Sequence, residues 1–206
     1  MPAASTHHES KAKLLDAALQ VIRAKGYSAT TIDDICYAAG LTKGSFFHHF
    51  RSKQDLALAA TTHFSQMAGG LFAAAPYQSL PDPVDRLLGY IDFRKAILRG
   101  ELPQFTCLLG TMVQEAYATH PPIREACDAG ISGHAASLEA DITDAMSKYK
   151  INADWSAASL ALYTQAVIQG AFILAKMKNG PQIAGECLDH LRRYIQMLFS
   201  RSKQGE

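Results

Sequence analysis

Apolar residues along this chain recur at spacings of three and four, and no segment shows the one-by-one alternation of a half-buried strand. Leu14, Ala18, Val21 and Ile22 form the stripe of an amphipathic helix that Gly26 ends. Thr31 and Asp34 stand at the spacing of a capping box, which starts a short helix near Thr31 with Ile32, Ile35 and Ala39 on one apolar face. Gly40 supplies the left-handed backbone that stops it sharply. Thr42 caps a second short helix in which Phe46 and Phe50, four apart, face the core. Ser52 and Asp55 repeat the capping-box spacing and open a longer helix that runs to about residue 71.

After the proline-broken stretch "AAAPYQSLPDP", the pattern predicts five more helices, at about residues 83–98, 103–118, 121–149, 154–178 and 181–200. Prolines open most of them, where a missing N–H costs little. The expectation is an all-α fold of about nine helices. It has a helix-turn-helix three-helix domain, residues 1–55, and a larger helical domain, residues 56–206. Segment 154–178 is apolar on nearly all sides, which predicts burial on more than one face. The last helix carries Leu188, Leu191, Ile195, Leu198 and Phe199 at mixed three- and four-residue spacing.

Two short helices hinged at Gly40 are the pattern of a DNA-reading element. A helix entering a major groove presents its first turn to base edges and phosphates, and that turn here is small or cationic: Thr42, Lys43, Gly44 and Ser45. Phe47, His48 and His49 divide between DNA and packing. With Thr31 and Lys53, these are the candidate contacts to double-stranded operator DNA.

Residues 12–58, and above all "TTIDDICYAAGLTKGSFFHHFRSKQDL", closely resemble the N-terminal domain of TetR-family transcriptional regulators. The resemblance implies a homodimer that pairs through its last two helices, a near-palindromic operator, and a small-molecule effector held in the larger domain. In that family the position of Phe47 is commonly Tyr, whose hydroxyl contacts a phosphate, a contact that Phe47 lacks. Dimerisation also follows from the DNA side, because one recognition helix reads too few base pairs for useful selectivity.

The net charge of +1 argues for no polyanionic partner by itself, and residues 1–55 carry only a slight local excess, seven Lys/Arg against five Asp/Glu. Binding must then rest on a few placed cations, helix N-termini and dimeric geometry. There is no secretory signal pattern and no uninterrupted apolar run of about 20 residues, so a cytoplasmic protein with no membrane partner is expected. Cys36, Cys107, Cys127 and Cys187 are scattered without metal or disulfide spacing, and no cofactor or metal is expected.

Candidate pocket residues are Phe64, Met67, Phe93, Phe105, Cys107, Met112, Glu115, Trp155, Tyr163, Gln165, Gln169 and Phe172. For most, the alternative is an ordinary core residue. Glu115, Gln165 and Gln169 stand out because polar side chains on apolar helices need a partner if buried. The segment Thr106-Cys107-Leu108-Leu109-Gly110 resembles one found in a family branch that includes repressors responding to electrophiles and oxidants, and Lys176 matches the lysine found beside that cysteine. A cation beside a thiol raises its thiolate fraction. The alternative reading makes Cys107 a small buried hydrophobe and Lys176 a cap on helix carbonyls. An enzyme using Cys107 with His120 or His134 is the remaining class, and no nucleophile elbow, metal spacing or phosphate loop supports it.

Overall fold

The computed structural model describes residues 3–200. Among the described residues ten α-helices follow one another: α1 Ala3–Lys25, α2 Ile32–Ala39, α3 Lys43–His49, α4 Lys53–Ala73, α5 Pro83–Ala96, α6 Leu102–Phe105, α7 Leu108–Ala116, α8 Pro121–Tyr149, α9 Ala157–Lys178 and α10 Gln182–Phe199. A single 3₁₀ turn, Pro76–Ser79, precedes α5, and the described residues contain no strand.

The chain divides into two compact units, one made of the described part of residues 1–69 with 106–130, the other of residues 70–105 with 131–200. In the first, α1 packs against α2, α3 and α7. Its core is Leu14, Ala18, Leu19, Ile22, Ile35, Phe46, Phe50, Leu56 and Met112, all nearly or fully buried. Each large apolar side chain removed from water contributes on the order of 1.5–3 kcal/mol. In the second unit α10 packs against both α9 and α5. Leu87, Tyr90, Ile91, Leu160, Ile168, Phe172, Leu188, Leu191 and Ile195 fill the space between them. Asp82 caps α5 by accepting from Val84 N–H at 2.8 Å, and it also takes Lys148 and the Tyr149 hydroxyl at the end of α8. These partners hold its carboxyl well below the usual range.

The structure departs from the pattern in two places. Residues 103–118, expected as one helix, are broken at Thr106 and Cys107, giving ten helices where nine were expected. Cys107 has extended backbone, φ −83° and ψ 125°, and caps α7 as its Sγ accepts from Gly110 N–H at 3.4 Å. The Thr106 carbonyl released by the break accepts instead from the guanidinium of Arg23 on α1 at 3.2 Å. The break is thus covered on one side by the local cap at Cys107 and on the other by a tertiary contact.

The second departure is α9. Its buried residues, among them Leu160, Ala161, Ile168, Phe172 and Ala175, form one stripe, while Leu162, Tyr163, Ile173 and Met177 on the other side are roughly half exposed or more. The chain by itself buries one face of α9 where more than one was expected. This helix is also long and apolar enough to cross a membrane by length and composition, but its buried stripe is part of the second unit's core.

Candidate nucleic-acid interface and ligand site

The α2–α3 pair is set by local chemistry. Thr31 Oγ1 accepts from Asp34 N–H at 3.1 Å, and Asp34 Oδ2 accepts from both the Thr31 N–H at 2.8 Å and its hydroxyl at 2.6 Å. Lys25 pairs with the same carboxylate at 2.5 Å and leads the causes that hold it well below its usual range. Gly40, at φ 64°, ends α2, and Leu41 N–H returns to the Cys36 carbonyl at 2.9 Å. Thr42 then caps α3 through Ser45 N–H at 3.2 Å.

On α3, Phe46 is fully buried and Phe47 stands edge-on against it while remaining 54% exposed. His48 also faces outward, whereas His49 Nε2 lies 2.7 Å from the Ser10 hydroxyl on α1. Lys43 is exposed and pairs with Asp33 at 2.9 Å. Thr42, Lys43, Gly44, Phe47 and His48 therefore present an open outer row, and Ser45 is half-buried at its edge. Tyr37, in the last turn of α2, is 91% exposed. Sequence reasoning had passed over it, although a tyrosine on the polar side of so short a helix is itself a signal.

Lys53 and Glu115 both bind the loop between α1 and α2. The Lys53 ammonium donates to the carbonyls of Tyr27 at 3.0 Å, Thr30 at 2.9 Å and Ser28 at 3.4 Å, and lies 4.5 Å from the centre of the Tyr27 ring. Glu115 on α7 accepts from Ser28 N–H at 2.7 Å. The approach is so close that a Cβ at Gly26, whose φ is 86°, would collide with that carboxylate. Glu115 is exposed and tied to this loop, so its partner is backbone.

The second unit holds a polar cluster enclosed by aromatic rings. Tyr90 on α5 is 1% exposed, and its hydroxyl accepts from Arg94 Nε at 2.8 Å and from Gln165 Nε2 at 3.2 Å. His134 Nε2 on α8 is 3.0 Å from the same hydroxyl and 2.9 Å from Arg94 Nη2. The guanidinium carbon sits 4.3 Å from the centre of the Phe72 ring, and Phe72 in turn stacks edge-on against Phe93. Burial, then the neighbouring Arg94 charge, brings the His134 pKa down to about 4, so the ring is neutral near pH 7. Burial first and then Tyr90 push the Tyr77 hydroxyl beside it up to about 12.

Two family models match this chain. One, described as bacterial regulatory proteins, tetR family, matches residues 14–60, and the other, a tetracyclin repressor-like C-terminal domain, matches residues 83–191. The chain belongs to the TetR family. The transcriptional regulator AcuR of Cereibacter sphaeroides is 28% identical over 180 residues, covering 87% of this chain and 81% of that protein. A TetR transcriptional regulator from Chloroflexus aurantiacus superposes with a TM-score of 0.81 at 26% identity, over 93% of this chain and 96% of its own. A TetR-family regulator from Agrobacterium tumefaciens gives 0.81 at 19% identity, over 91% and 98%, which speaks to the fold alone.

As a TetR-family regulator, the chain brings together only some of the pocket candidates. Phe64, Met67, Cys107, Met112 and Glu115 belong to the first unit, the others to the second. Met112 is fully buried core, Met67 is exposed, and Phe64 lies 5.7 Å from the Arg23 guanidinium carbon. Phe105 and Phe172 stack at 6.3 Å, while Trp155 meets Phe199 edge-on at 6.0 Å and so secures the end of α10. Tyr163 stacks on Tyr194 on the outer side of α9 and α10. Gln165 joins the Tyr90 cluster, as does Phe93 through Phe72, and Gln169 is half-buried on the same helix. Cys107 caps α7, and Lys176 lies in the last turn of α9. Tyr90 and Arg94 were missed, because each reads as an ordinary residue on its own helix, and His134 was weighed only as the base of an enzyme.

Proposed function

We propose that this TetR-family regulator is a ligand-responsive repressor that binds a near-palindromic operator as a homodimer and is released by a small effector. The observation that carries the dimer is the second apolar face of α9 continuing onto α10. Leu162, Tyr163, Ile173, Met177, Tyr194 and Met197 lie there, between 40% and 73% exposed. An apolar surface of that kind, left open by the chain's own packing, marks an interaction site. Two copies joined by a two-fold axis present two α3 helices to successive major grooves about 34–36 Å apart or somewhat more.

In this reading Lys43 contacts a phosphate, and Thr42, Gly44, Ser45, Phe47 and His48 lie against the groove. Tyr37 adds a phosphate contact, substituting for the hydroxyl that Phe47 lacks. Thr31, Lys53 and His49 act through the shape of the reading head, since their polar groups already bind Asp34, the loop carbonyls and Ser10. Coupling runs through α7, whose Glu115 holds the α1–α2 loop, and requires the effector to prefer one of two states.

Footprinting of the DNA flanking the gene tests the reading. Protection of an inverted repeat is expected, and protection of a lone half-site by a monomer sinks it. A second reading, in which Cys107 senses electrophiles, draws support from the buried Arg23 guanidinium, which donates to the carbonyl of Thr106 next to the cysteine at 3.2 Å. Equal release of wild type and Cys107→Ser from operator by a quinone rules that reading out.

A further inference from the structure

The Tyr90–Arg94–His134–Gln165 cluster has more donors than it can satisfy. The Tyr90 oxygen accepts from Arg94 and Gln165, which leaves its own proton to give to His134 Nε2. A neutral imidazole has one lone pair, and Arg94 Nη2 points at that same Nε2. Two donors thus compete for one acceptor. The remaining guanidinium nitrogen, Nη1, has no protein partner among the described residues, and it is not sealed from the outside, since no buried side-chain polar atom lacks a partner.

Among the described residues Arg94 forms no ion pair, and Asp141, the acid on the neighbouring stretch of α8, is bound to Arg86 at 2.6 Å. The cation rests instead against the rings of Phe72 and Tyr90, with Tyr77 and Phe93 beside them. A half-buried guanidinium with surplus donors is completed by a group that only accepts, and a carboxylate fits its fork geometry. Phe93, the half-buried ring of this group, selects an apolar, planar body behind that carboxylate.

We infer that the effector is an organic monocarboxylate with an apolar, flat body, its carboxylate held by Arg94 and its body laid against Phe93, the half-buried ring beside it. This rests on the effector-responsive reading above and names the ligand's chemical class. Neutral His134 is part of the device: a protonated ring would present another donor and no acceptor, removing the anchor that fixes Tyr90 and Arg94.

The test uses the full-length protein in thermal-shift and calorimetric titrations with benzoate, phenylacetate, cinnamate and hexanoate, each beside its primary amide. The carboxylates, flat aromatic ones foremost, are expected to bind saturably and the amides about tenfold or more weaker. Arg94→Met should lose the preference, and Arg94→Lys should retain part of it. Equal binding of acids and amides to wild type overturns the proposal without any variant, as does full carboxylate binding by a folded Arg94→Met. An equal shift with sulfate or chloride would reduce the site to a simple anion hole and overturn the apolar body. Operator footprints measured in parallel keep the two readings apart, because a carboxylate failure with an intact inverted-repeat footprint leaves the repressor assignment standing.

Discussion

Replacing Lys53 by Met removes a clamp while leaving most of its aliphatic stem in place. Two well-formed contacts from a charged donor are lost, at 2.9 and 3.0 Å, together with the cation–ring contact at 4.5 Å. In a part-buried site each hydrogen bond is worth about 1 kcal/mol net and the ring contact about 0.5–1 kcal/mol. The third contact, at 3.4 Å, adds little. Relief of the ammonium's desolvation, which lowers its pKa, offsets part of the loss. A net destabilisation of about 2 kcal/mol lowers Tm by roughly 4–8 °C for a chain of this size. Circular dichroism melts measure that directly, and operator titrations across a salt series measure the other half of the claim. Lys43→Ala should reduce the salt slope by about one unit per lost phosphate contact, whereas Lys53→Met should leave it unchanged. An unaltered Tm combined with a flattened slope would refute the clamp and make Lys53 a phosphate ligand.

Gly44→Ala meets no obstacle within the protein, since the added Cβ would lie 3.6 Å from Thr42 Oγ1, and helix propensity favours Ala by about 1 kcal/mol. A variant that melts no lower yet binds operator more weakly would place α3 in close backbone contact with DNA; undiminished affinity argues against that pose. Phe47→Tyr should strengthen operator binding if the relatives' phosphate contact can be restored, and Tyr37→Phe should weaken it if Tyr37 now makes that contact. His134 has a folded pKa of about 4, below its ordinary 6.5, so the stability it contributes is present above pH 6.5 and is lost as pH falls toward 4. The full effect amounts to about 3 kcal/mol, and the difference in Tm between wild type and His134→Gln across that range should isolate it. Tyr163→Glu with Met197→Glu should give monomers in light scattering and abolish operator protection; a dimer that persists moves the interface off α9 and α10.

The reading head was largely legible in the sequence because its determinants act within four residues along the chain. Thr31 with Asp34, Thr42 with Ser45, Ser52 with Asp55, and the left-handed stop at Gly40 all formed where their spacing placed them. Local caps and turns need no distant partner, so a linear text can state them. The helix break at Cys107 was not read for the opposite reason, since the carbonyl it frees is taken up by Arg23, 83 positions away. The roles of Lys53 and Glu115 likewise appear only when α4 and α7 close on the same loop. The polar cluster depends still more on tertiary structure. Tyr90 meets His134 across 44 positions and Gln165 across 75, and no periodicity on α5, α8 or α9 encodes that meeting. Helix spacing tells which face of each segment is apolar, but which polar groups share a space, and so which charge is left without a counter-ion, is decided only when those faces pack together.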